Sequence, residues 1–590
     1  MINKNRNRLG IFVFYDRDNI VDDYVLYLLN DINENFSHLT IISNSQLEKA
    51  EKKKLEKFSK DIIIRENAGL DAGALYSYFN STKDYQNYDE VVCFNDTFFG
   101  PFYSFKKVFE EMDQREVDFW GLALGHKQRD GYGIMKEGYI PEHIQTFFIA
   151  FRKKVLLSNA FVDYWKNYDY ENMQTFYDVV TKHELRFTKY LGENGFQYDS
   201  YIKDTNVSDN FMENYNNYNY NSSTQIIIDN ALYIKRKNFV TSKKDFLYLT
   251  DSNDLNTSYE YIKNHTNYDV GLIWKNILRL YNLSDIHETF GLYSIIDDSE
   301  VKKADSLSYI IYVDNFLMKE ILAKKLEEIK NHSYIFTSNK EVYDYLKKQN
   351  VNVEMIKKNT FYKKYISLIN QIKDKYVGFM FIPEHEENTI NIIEETLYNN
   401  YINGIMKNAV YINNVLNLFT EEKNLGILYA PNNIHYDYFY KNIHWEISVF
   451  EKMKELLPKY KMFQLEKIPI SFSNAWIARK EILTKINYDN WNILEDTFFS
   501  KYLSIYISYF GAINSFYPKI ILDKNEAKNQ LTNLNCIYKN TYQKIQSIKN
   551  IPLTFTEDLN KIDEVKKQYK EKKYRKIGRR IKQKIRRIIK

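Results

Sequence analysis

Asp71 and Asp96 each stand where a short apolar segment ends, and both are candidates for binding a ligand. Asp71 lies in RENAGLDAGA, between Gly69 and Gly73. Glycine in a turn lets the backbone approach a ligand closely. The Asp71 carboxylate and the Asn67 amide next to it could then form hydrogen bonds with a ribose or a base. A tight turn with Asp71 as a capping residue is the alternative interpretation.

The second acidic turn lies in VVCFNDTFFGPF, where an apolar segment ends in Asn95 and Asp96. A phosphate group that leaves a donor in a transfer reaction needs a positive counter-charge. A divalent cation, Mg²⁺ or Mn²⁺, held by the Asp96 carboxylate would supply that charge, and Asn95 would contact the donor in the same turn. A role for Asp96 in capping a helix or turn is the alternative.

Glu184, in KHELRFTKYL, is the candidate for a catalytic base. A transfer reaction to a hydroxyl acceptor requires a base that removes the proton of that hydroxyl, and a carboxylate can act as this base. A Glu at the start of a helix is also often a solvated residue that stabilises the helix dipole, and this interpretation stays open. Asp199, in GFQYDSYI, is the next candidate for the base.

The elements that must position these residues alternate between strand-like and helix-like segments over the first 125 residues. Short apolar segments separated by helical patterns predict a parallel sheet that is covered on both faces. Ligands bind at the carboxyl ends of the strands in such sheets, which is where Asp71 and Asp96 lie. Residues 126–142 predict a loop. The predicted strands lie in LGIFVFYD, HLTIISNS, DIIIRENAG, DEVVCFNDT and VDFWGLALG.

The second half of the chain repeats this alternation. Predicted strands lie in SYIIYVDN, HSYIFTSN, VNVEMIKKN and YVGFMFIPEH. In addition, FSNAWIARKEILTKI is similar to TFFIAFRKKVLLSNA in the first half, since both read as a strand that enters a helix through an Arg-Lys turn. These similarities indicate a divergent internal duplication, and two unrelated α/β domains are the alternative.

The predicted fold class is therefore α/β, with two Rossmann-type domains in tandem and a divergent second copy. We expect a first domain at residues 1–240 that holds the donor site, and a helical interdomain segment at 241–305. The second domain is expected at 306–540 and a basic amphipathic tail at 541–590. These boundaries follow the change from alternating elements to continuous helical patterns.

Positive charge is concentrated at the end of the chain. The 590 residues carry a net charge of +5, but residues 571–590 hold eleven Lys or Arg and one Glu, which leaves −5 for the rest. A mildly acidic body argues against general nucleic-acid binding, so no nucleic-acid partner is expected.

The tail itself has the pattern of a basic amphipathic helix. In KKYRKIGRRIKQKIRRIIK, isoleucines recur at helical spacing with cations between them, which predicts binding to an anionic membrane surface. A disordered basic segment or a nucleic-acid contact is the alternative. The cations expected to contact the membrane are Arg579, Arg580, Lys584, Arg586 and Arg587.

The lengths of the apolar runs and the number of cysteines indicate in which cellular compartment the protein is expected. No run reaches the roughly 18 apolar residues of a membrane span, and the short apolar segment near the start does not resemble a signal peptide. The two cysteines, Cys93 and Cys536, are far apart in sequence, which fits a reducing compartment. We expect a cytoplasmic protein that is peripheral at the inner face of the cell membrane.

Several of these segments, taken in order, resemble the rhamnan synthesis protein F family of bacterial polysaccharide glycosyltransferases. The similarity extends over residues 8–283, and it is weaker over 306–525. The segments that carry it are RENAGLDAGA, YDEVVCFNDTFFGPF, VDFWGL, HIQTFFIAFRKKVL, ELRFTKYL, GFQYDSYI, NALYIKRKNF and NYDVGLIWKNILRLYN.

The resemblance implies a GT-A-like fold in both domains, a nucleotide-sugar donor similar to dTDP-rhamnose, and an inverting reaction. The acceptor would be a growing cell-surface polysaccharide, plausibly linked to a lipid. The chain departs from an active pattern in two places. It has Asn-Asp where a metal-binding Asp-x-Asp pair would be expected, and its second half has no Gly-Leu-Asp-Ala-Gly turn. A catalytically degenerate protein that binds glycans or acts as a scaffold in a membrane-associated synthesis complex is therefore the alternative.

Overall fold

A computed structural model of the protein shows a mixed α/β chain, in agreement with the predicted class. The chain divides into two compact units, Met1–Ile521 and Leu522–Lys590. The residues that the structure describes are 6–130, 133, 135–203, 210, 226–227, 230–240, 254–297, 299, 306–329, 331–385, 391–432, 447–465, 467, 470, 473–489, 491 and 495–549.

All five strands predicted in the first part of the chain are present. Segment 126–142, predicted as a loop, contains a short antiparallel pair of strands, Gln128–Arg129 with Tyr139–Ile140. The strands of this part are β1 (Arg8–Phe14), β2 (His38–Ser43), β3 (Asp61–Ile64), β4 (Glu90–Asn95), β5 (Phe98–Phe99), β6 (Phe119–Gly121), β7 (Leu124–Gly125), β8 (Gln128–Arg129), β9 (Tyr139–Ile140), β10 (His143–Ile144), β11 (Phe148–Arg152), β12 (Tyr198–Ser200) and β13 (Ile234–Lys235).

Seven of these strands form one sheet in the order β12-β6-β11-β4-β1-β2-β3. Neighbouring strands are parallel except β11, which lies between β4 and β6 and is antiparallel to both. Every residue of β1 and β4 is buried, as expected for central strands that are covered on both faces. Val13 pairs with Asn95 and Phe14 with Ser43, so the polar residues that follow β1, β2 and β4 meet at one edge.

Helices accompany this sheet, and three of them begin at a side-chain cap, at Ser104, Ser158 and Thr175. Helix Phe105–Met112, for example, follows Ser104, whose hydroxyl accepts a hydrogen bond from the backbone N–H of Lys106. The α-helices of this part are Asp23–Ile32, Lys49–Leu55, Leu70–Ser81, Phe105–Met112, Lys153–Leu156, Asn159–Lys166, Phe176–Val179 and Leu185–Glu193, with a π-helix at Val180–Glu184 and a 3-10 turn at Arg236–Phe239. Three further helices, Asp254–His265, Gly271–Leu280 and Leu283–Phe290, occupy the predicted interdomain segment.

The second half forms an eight-stranded sheet in the order β14-β21-β19-β20-β18-β15-β16-β17. Its strands are β14 (Tyr293–Ile296), β15 (Leu307–Val313), β16 (His332–Thr337), β17 (Val353–Met355), β18 (Tyr376–Ile382), β19 (Leu425–Tyr429), β20 (Ala475–Arg479) and β21 (Tyr517–Asp523). Its α-helices are Lys319–Ile329, Lys340–Lys348, Phe361–Ile369, Asn391–Met406, Ala409–Glu421, Ile447–Leu456, Lys480–Leu483 and Asp496–Ile513.

Apart from the additional β14, the second sheet repeats the strand order and strand directions of the first. The sequence β3-β2-β1-β4-β11-β6-β12 corresponds to β17-β16-β15-β18-β20-β19-β21. In both sheets, one antiparallel strand is inserted at the same position, and both inserted strands end in Arg, at Arg152 and Arg479. The FIAFRKK and AWIARKE segments are these two strands, which is the arrangement that an internal duplication would produce.

The second compact unit contains helix Lys524–Lys549. The predicted amphipathic helix and its five membrane-binding cations, Arg579, Arg580, Lys584, Arg586 and Arg587, lie outside the described residues. None of the helices in the described part of the chain is long and apolar enough to cross a membrane.

Candidate functional site

A cavity of about 310 Å³ lies at the carboxyl edge of the first sheet. Its walls include residues that follow β1, β2, β3 and β4, together with Tyr281 from just beyond helix Gly271–Leu280. Five of the residues predicted from the sequence line it together: Asn67, Asp71, Asn95, Asp96 and Glu184. The structure thus places the predicted donor turn, the Asn-Asp turn and the predicted base around one space.

Gly69 and Gly73, also predicted to contact the donor, shape the turn instead of lining the cavity. Gly69 has φ of 69°, a left-handed conformation that costs glycine little, and it precedes the first residue of helix Leu70–Ser81. A Cβ at Gly73 would lie 2.1 Å from the carbonyl oxygen of Ala68. Both positions therefore require glycine so that the backbone can fold back and hold Asp71 at the cavity.

Asp71 is held by two donors. Its Oδ2 accepts a hydrogen bond of 2.8 Å from Nδ2 of Asn95, and its Oδ1 accepts one of 2.9 Å from the backbone N–H of Ala72. Burial raises the pKa of the Asp71 carboxyl above its ordinary value, and the nearby Glu184 carboxylate adds to this effect. The two predicted turns are thus joined through a direct contact between Asp71 and Asn95.

Asp96 is almost fully buried, with 3% exposure, and its polar partners are Tyr24 and Arg236. The hydroxyl of Tyr24 lies 3.0 Å from Oδ2 of Asp96 and 2.9 Å from its backbone carbonyl oxygen. Nη1 of Arg236 lies 2.7 Å from the Tyr24 hydroxyl and 3.5 Å from the Asp96 carboxylate. Burial raises the pKa of Asp96, although Arg236 and Tyr24 oppose part of that shift.

These surroundings do not fit the divalent cation that the sequence predicted at Asp96. Oxygen ligands for Mg²⁺ or Mn²⁺ should face the ion without a competing cation. The Asp96 carboxylate instead faces the guanidinium of Arg236, and Tyr24 donates to it. Among the described residues, no group of three or more His, Cys, Asp or Glu side chains could hold a metal ion. The positive charge beside Asp96 is supplied by Arg236.

Glu184 ends the π-helix Val180–Glu184, a rare type of turn that often occurs at functional sites. Its Oε2 accepts hydrogen bonds from the backbone N–H and the hydroxyl of Thr146, at 2.9 and 2.8 Å. Burial alone would raise the pKa of Glu184, but His143 and the Thr146 hydrogen bonds bring it below its ordinary value. These contacts favour the ionised form of the Glu184 carboxyl group. Asp199, the second candidate, pairs with Arg115 and Lys203 and does not line the cavity.

Three consecutive cations that were not predicted as site residues, Lys235, Arg236 and Lys237, also line the cavity. The pairing of β13 with β5 brings these residues to the cavity, because it places Lys235 opposite Phe98. The backbone N–H of Arg236 then donates to the carbonyl of Thr97 at 3.1 Å. The only signal in the sequence was the KRK run in NALYIKRKNF, a segment that carried the family resemblance.

Two other lining residues offer contacts to a ligand. Oδ1 of Asn67 is shielded from solvent and, within the described part of the chain, has no hydrogen-bond partner, so it could accept a bond from a ligand N–H or O–H. Phe176 has 69% exposure and lines the same cavity, which places an apolar ring where a bound molecule would meet it.

Arg279 joins the interdomain helices to the acidic residues after β1. Its guanidinium contacts the carboxylates of Asp16, Asp18 and Asp22, at 2.5, 3.1 and 2.6 Å. One guanidinium thus links three carboxylates that follow β1. The contact also holds the helix that precedes Tyr281, so the predicted interdomain segment contributes one wall of the cavity.

The second sheet has a different environment at the corresponding place. Asp314, which follows β15, has 3% exposure and accepts hydrogen bonds from the hydroxyl of Thr337 and the backbone N–H of Ser338, both at 2.7 Å. The Tyr312 hydroxyl donates to the same carboxylate. Since the protein itself satisfies this carboxylate, Asp314 acts as a structural acceptor that joins two strand ends.

A family model described as rhamnan synthesis protein F matches residues 39–500, which is most of the chain. No curated protein sequence matches the chain.

Several solved structures have a distant likeness to parts of it. The mannosyltransferase Ktr4p from S. cerevisiae, in complex with GDP, is 10% identical, with a TM-score of 0.21, over 28% of this chain and 61% of its own. The chain thus spans less than two thirds of that protein. Glucosyl-3-phosphoglycerate synthase from Mycobacterium tuberculosis, with Mn²⁺ and UDP-glucose, is 9% identical over 42% and 81%, with a TM-score of 0.20. HddC from Yersinia pseudotuberculosis is 14% identical over 33% and 89%, with a TM-score of 0.21.

Proposed function

Since the chain belongs to the rhamnan synthesis protein F family, we propose that it is a glycosyltransferase that takes its sugar from a nucleotide donor. The observation that carries this proposal is the cavity of the first sheet, where Glu184 and Asp71 face the cations of segment 235–237. A nucleotide sugar needs acceptors for its ribose and base, positive charge for its diphosphate, and a base for the attacking hydroxyl. The cavity combines all three kinds of group.

In this proposal, each group has a chemical role. Asn67 and Asp71 accept hydrogen bonds from the nucleoside, and Asn95 holds Asp71 in place. The Glu184 carboxylate removes the proton of the acceptor hydroxyl as the hydroxyl oxygen attacks the anomeric carbon. One base without a nucleophilic partner suits inversion at that carbon.

The proposed domains, donor and acceptor are those that membership of the family suggests. We propose a GT-A-like first domain, residues 1–240, with its donor site completed by Tyr281, and a divergent second domain, residues 306–540, without a working donor site. The donor would be similar to dTDP-rhamnose, and the acceptor a growing bacterial cell-surface polysaccharide, linked to a lipid. The protein would then act in the cytoplasm, peripheral to the inner face of the cell membrane.

A screen of the purified protein against nucleotide sugars tests this function. We expect one nucleoside diphosphate class to bind and its sugar nucleotide to be hydrolysed slowly or transferred to an acceptor. The variant Asp71→Asn should weaken donor binding, because it removes the charge of an acceptor in the cavity wall. Binding of a glycan without binding of any nucleotide sugar would support the alternative, a degenerate scaffold partner.

The basic tail leads to a separate prediction. Deletion of residues 571–590 should release the protein from anionic vesicles, since each basic residue near such a surface contributes about 1 kcal/mol. Transfer to a lipid-linked acceptor should slow, whereas transfer to a soluble acceptor analogue should stay unchanged. Co-sedimentation of full-length and truncated protein with anionic and neutral vesicles measures the effect. Equal binding to both vesicle types would contradict membrane anchoring and favour a protein partner for the tail.

A further inference from the structure

Lys235, Arg236 and Lys237 form a cationic segment that is fixed against the Asn-Asp turn. In an extended strand, three neighbouring side chains would alternate between two faces. Here the strand β13 ends at Lys235 and a 3-10 turn begins at Arg236, and all three residues line the cavity. The pairing of Lys235 with Phe98 and the backbone bond from Arg236 to Thr97 hold this segment in register with the turn.

The Lys235 ammonium group lies between an aromatic ring and a hydroxyl group. Its Nζ is 3.2 Å from the centroid of the Phe147 ring and 3.3 Å from the hydroxyl of Thr97. Burial lowers the pKa of Lys235 well below its ordinary value, although Glu184 and Asp71 oppose the shift. A phosphate group in the cavity would form a charge-assisted hydrogen bond with the ammonium group and so replace the hydration that burial removes.

Arg236 and Lys237 differ in their surroundings. Arg236 is bound to Tyr24 and Asp96, so it is held in one orientation at the strand end. Burial acts to lower the pKa of Arg236, but the neighbouring Asp96 carboxylate and Tyr24 hydroxyl oxygen keep it raised. Lys237 is exposed and lies on the wall of the cavity, where its long side chain could reach a ligand. The segment therefore presents one fixed cation between two lysines.

We propose that Lys235, Arg236 and Lys237 bind the diphosphate of the donor directly and take the role that a divalent cation would otherwise have. This inference rests on the proposed function and specifies how its leaving group is stabilised. The bond between the anomeric carbon and the diphosphate oxygen breaks, and its electron pair passes to that oxygen. The acceptor oxygen forms the new bond to the anomeric carbon, and its proton passes to Glu184. The three cations stabilise the charge that develops on the diphosphate.

Isothermal titration calorimetry with UDP, GDP and dTDP, in EDTA and in MnCl₂, tests this proposal. We expect the nucleoside diphosphate that binds best to bind equally well in EDTA. Lys235→Gln and Lys237→Gln should each weaken its binding by about 10-fold, since a charged hydrogen bond is lost. Lys189→Gln is the matched control, because Lys189 pairs with Glu137 and does not line the cavity. Added salt should weaken binding to the wild type more than to either variant.

The binding experiment distinguishes failure of the cation proposal from failure of the proposed glycosyltransferase function. Binding that requires Mn²⁺ and is unaffected by both substitutions would overturn the cation proposal and leave the glycosyltransferase function intact. No binding of any nucleoside diphosphate under either condition would contradict both. Lys237 is exposed, so Lys237→Gln tests the proposal even where Lys235→Gln does not fold.

Discussion

Replacing Glu184 by Gln is expected to lower the rate of sugar transfer by about 100-fold or more, which is the usual contribution of a general base. Donor affinity should stay nearly unchanged, because the amide oxygen of Gln can still accept the hydrogen bonds from Thr146. Single-turnover transfer and equilibrium binding of the donor, measured on the same preparation, separate the two effects. Loss of donor binding with normal single-turnover chemistry would assign Glu184 a structural role instead.

Two further variants help to interpret this experiment, a matched control at Glu193 and a substitution of Asp71, the other candidate base. Glu193 is an exposed carboxylate on the helix that follows Glu184, and Glu193→Gln should leave transfer unchanged. Asp71 is the competing base, since burial raises its pKa and thereby strengthens it as a proton acceptor. If Asp71→Asn abolishes single-turnover chemistry at saturating donor while Glu184→Gln does not, Asp71 is the base.

Replacing Asp96 by Ala is expected to destabilise the protein by about 3–5 kcal/mol, the usual effect of breaking a buried ion pair. The Asp96 and Arg236 side chains have only 4% and 15% exposure, so the guanidinium would lose its partner in a place that water reaches poorly. Urea unfolding, followed by tryptophan fluorescence, measures the change. The double variant Asp96→Ala/Arg236→Met should recover part of the loss, because it removes both charges together.

This expectation changes how Asp96 variants should be interpreted. The sequence predicts that strand-end acids contact ligands and not the core, so that Asp96→Ala would abolish transfer without affecting folding. The buried contacts with Tyr24 and Arg236 give Asp96 a structural role as well. Asp96→Asn, which keeps an oxygen for the Tyr24 hydroxyl, is therefore the better variant for activity measurements. If Asp96→Ala and the wild type have the same midpoint of urea unfolding, the pair of Asp96 and Arg236 contributes little to the free energy of unfolding.

Local sequence patterns determined the strands, the helices and the edge where the site lies. The apolar segments before Asp71 and Asp96 predict β3 and β4; β4 is buried throughout, as continuous apolar residues in a parallel sheet indicate, whereas β3 is a partly exposed edge strand. Since parallel strands end at the same edge, the two turns were expected near each other, and the 2.8 Å contact between Asp71 and Asn95 agrees with that expectation. The repeated Arg-Lys segment likewise indicated a duplication, and it lies on the same inserted strand in both sheets.

Tertiary structure alone decided which charges face one another in the cavity. Arg236 meets Asp96 across 140 residues of sequence, and Lys235 reaches the site through the pairing of β13 with β5. Glu184 lies there because Thr146, just before β11, holds its carboxylate. Hydrophobic periodicity reports only which side of an element is buried. It carries no information on which distant segment becomes its neighbour, and for that reason the sequence suggested a metal where the fold places an arginine.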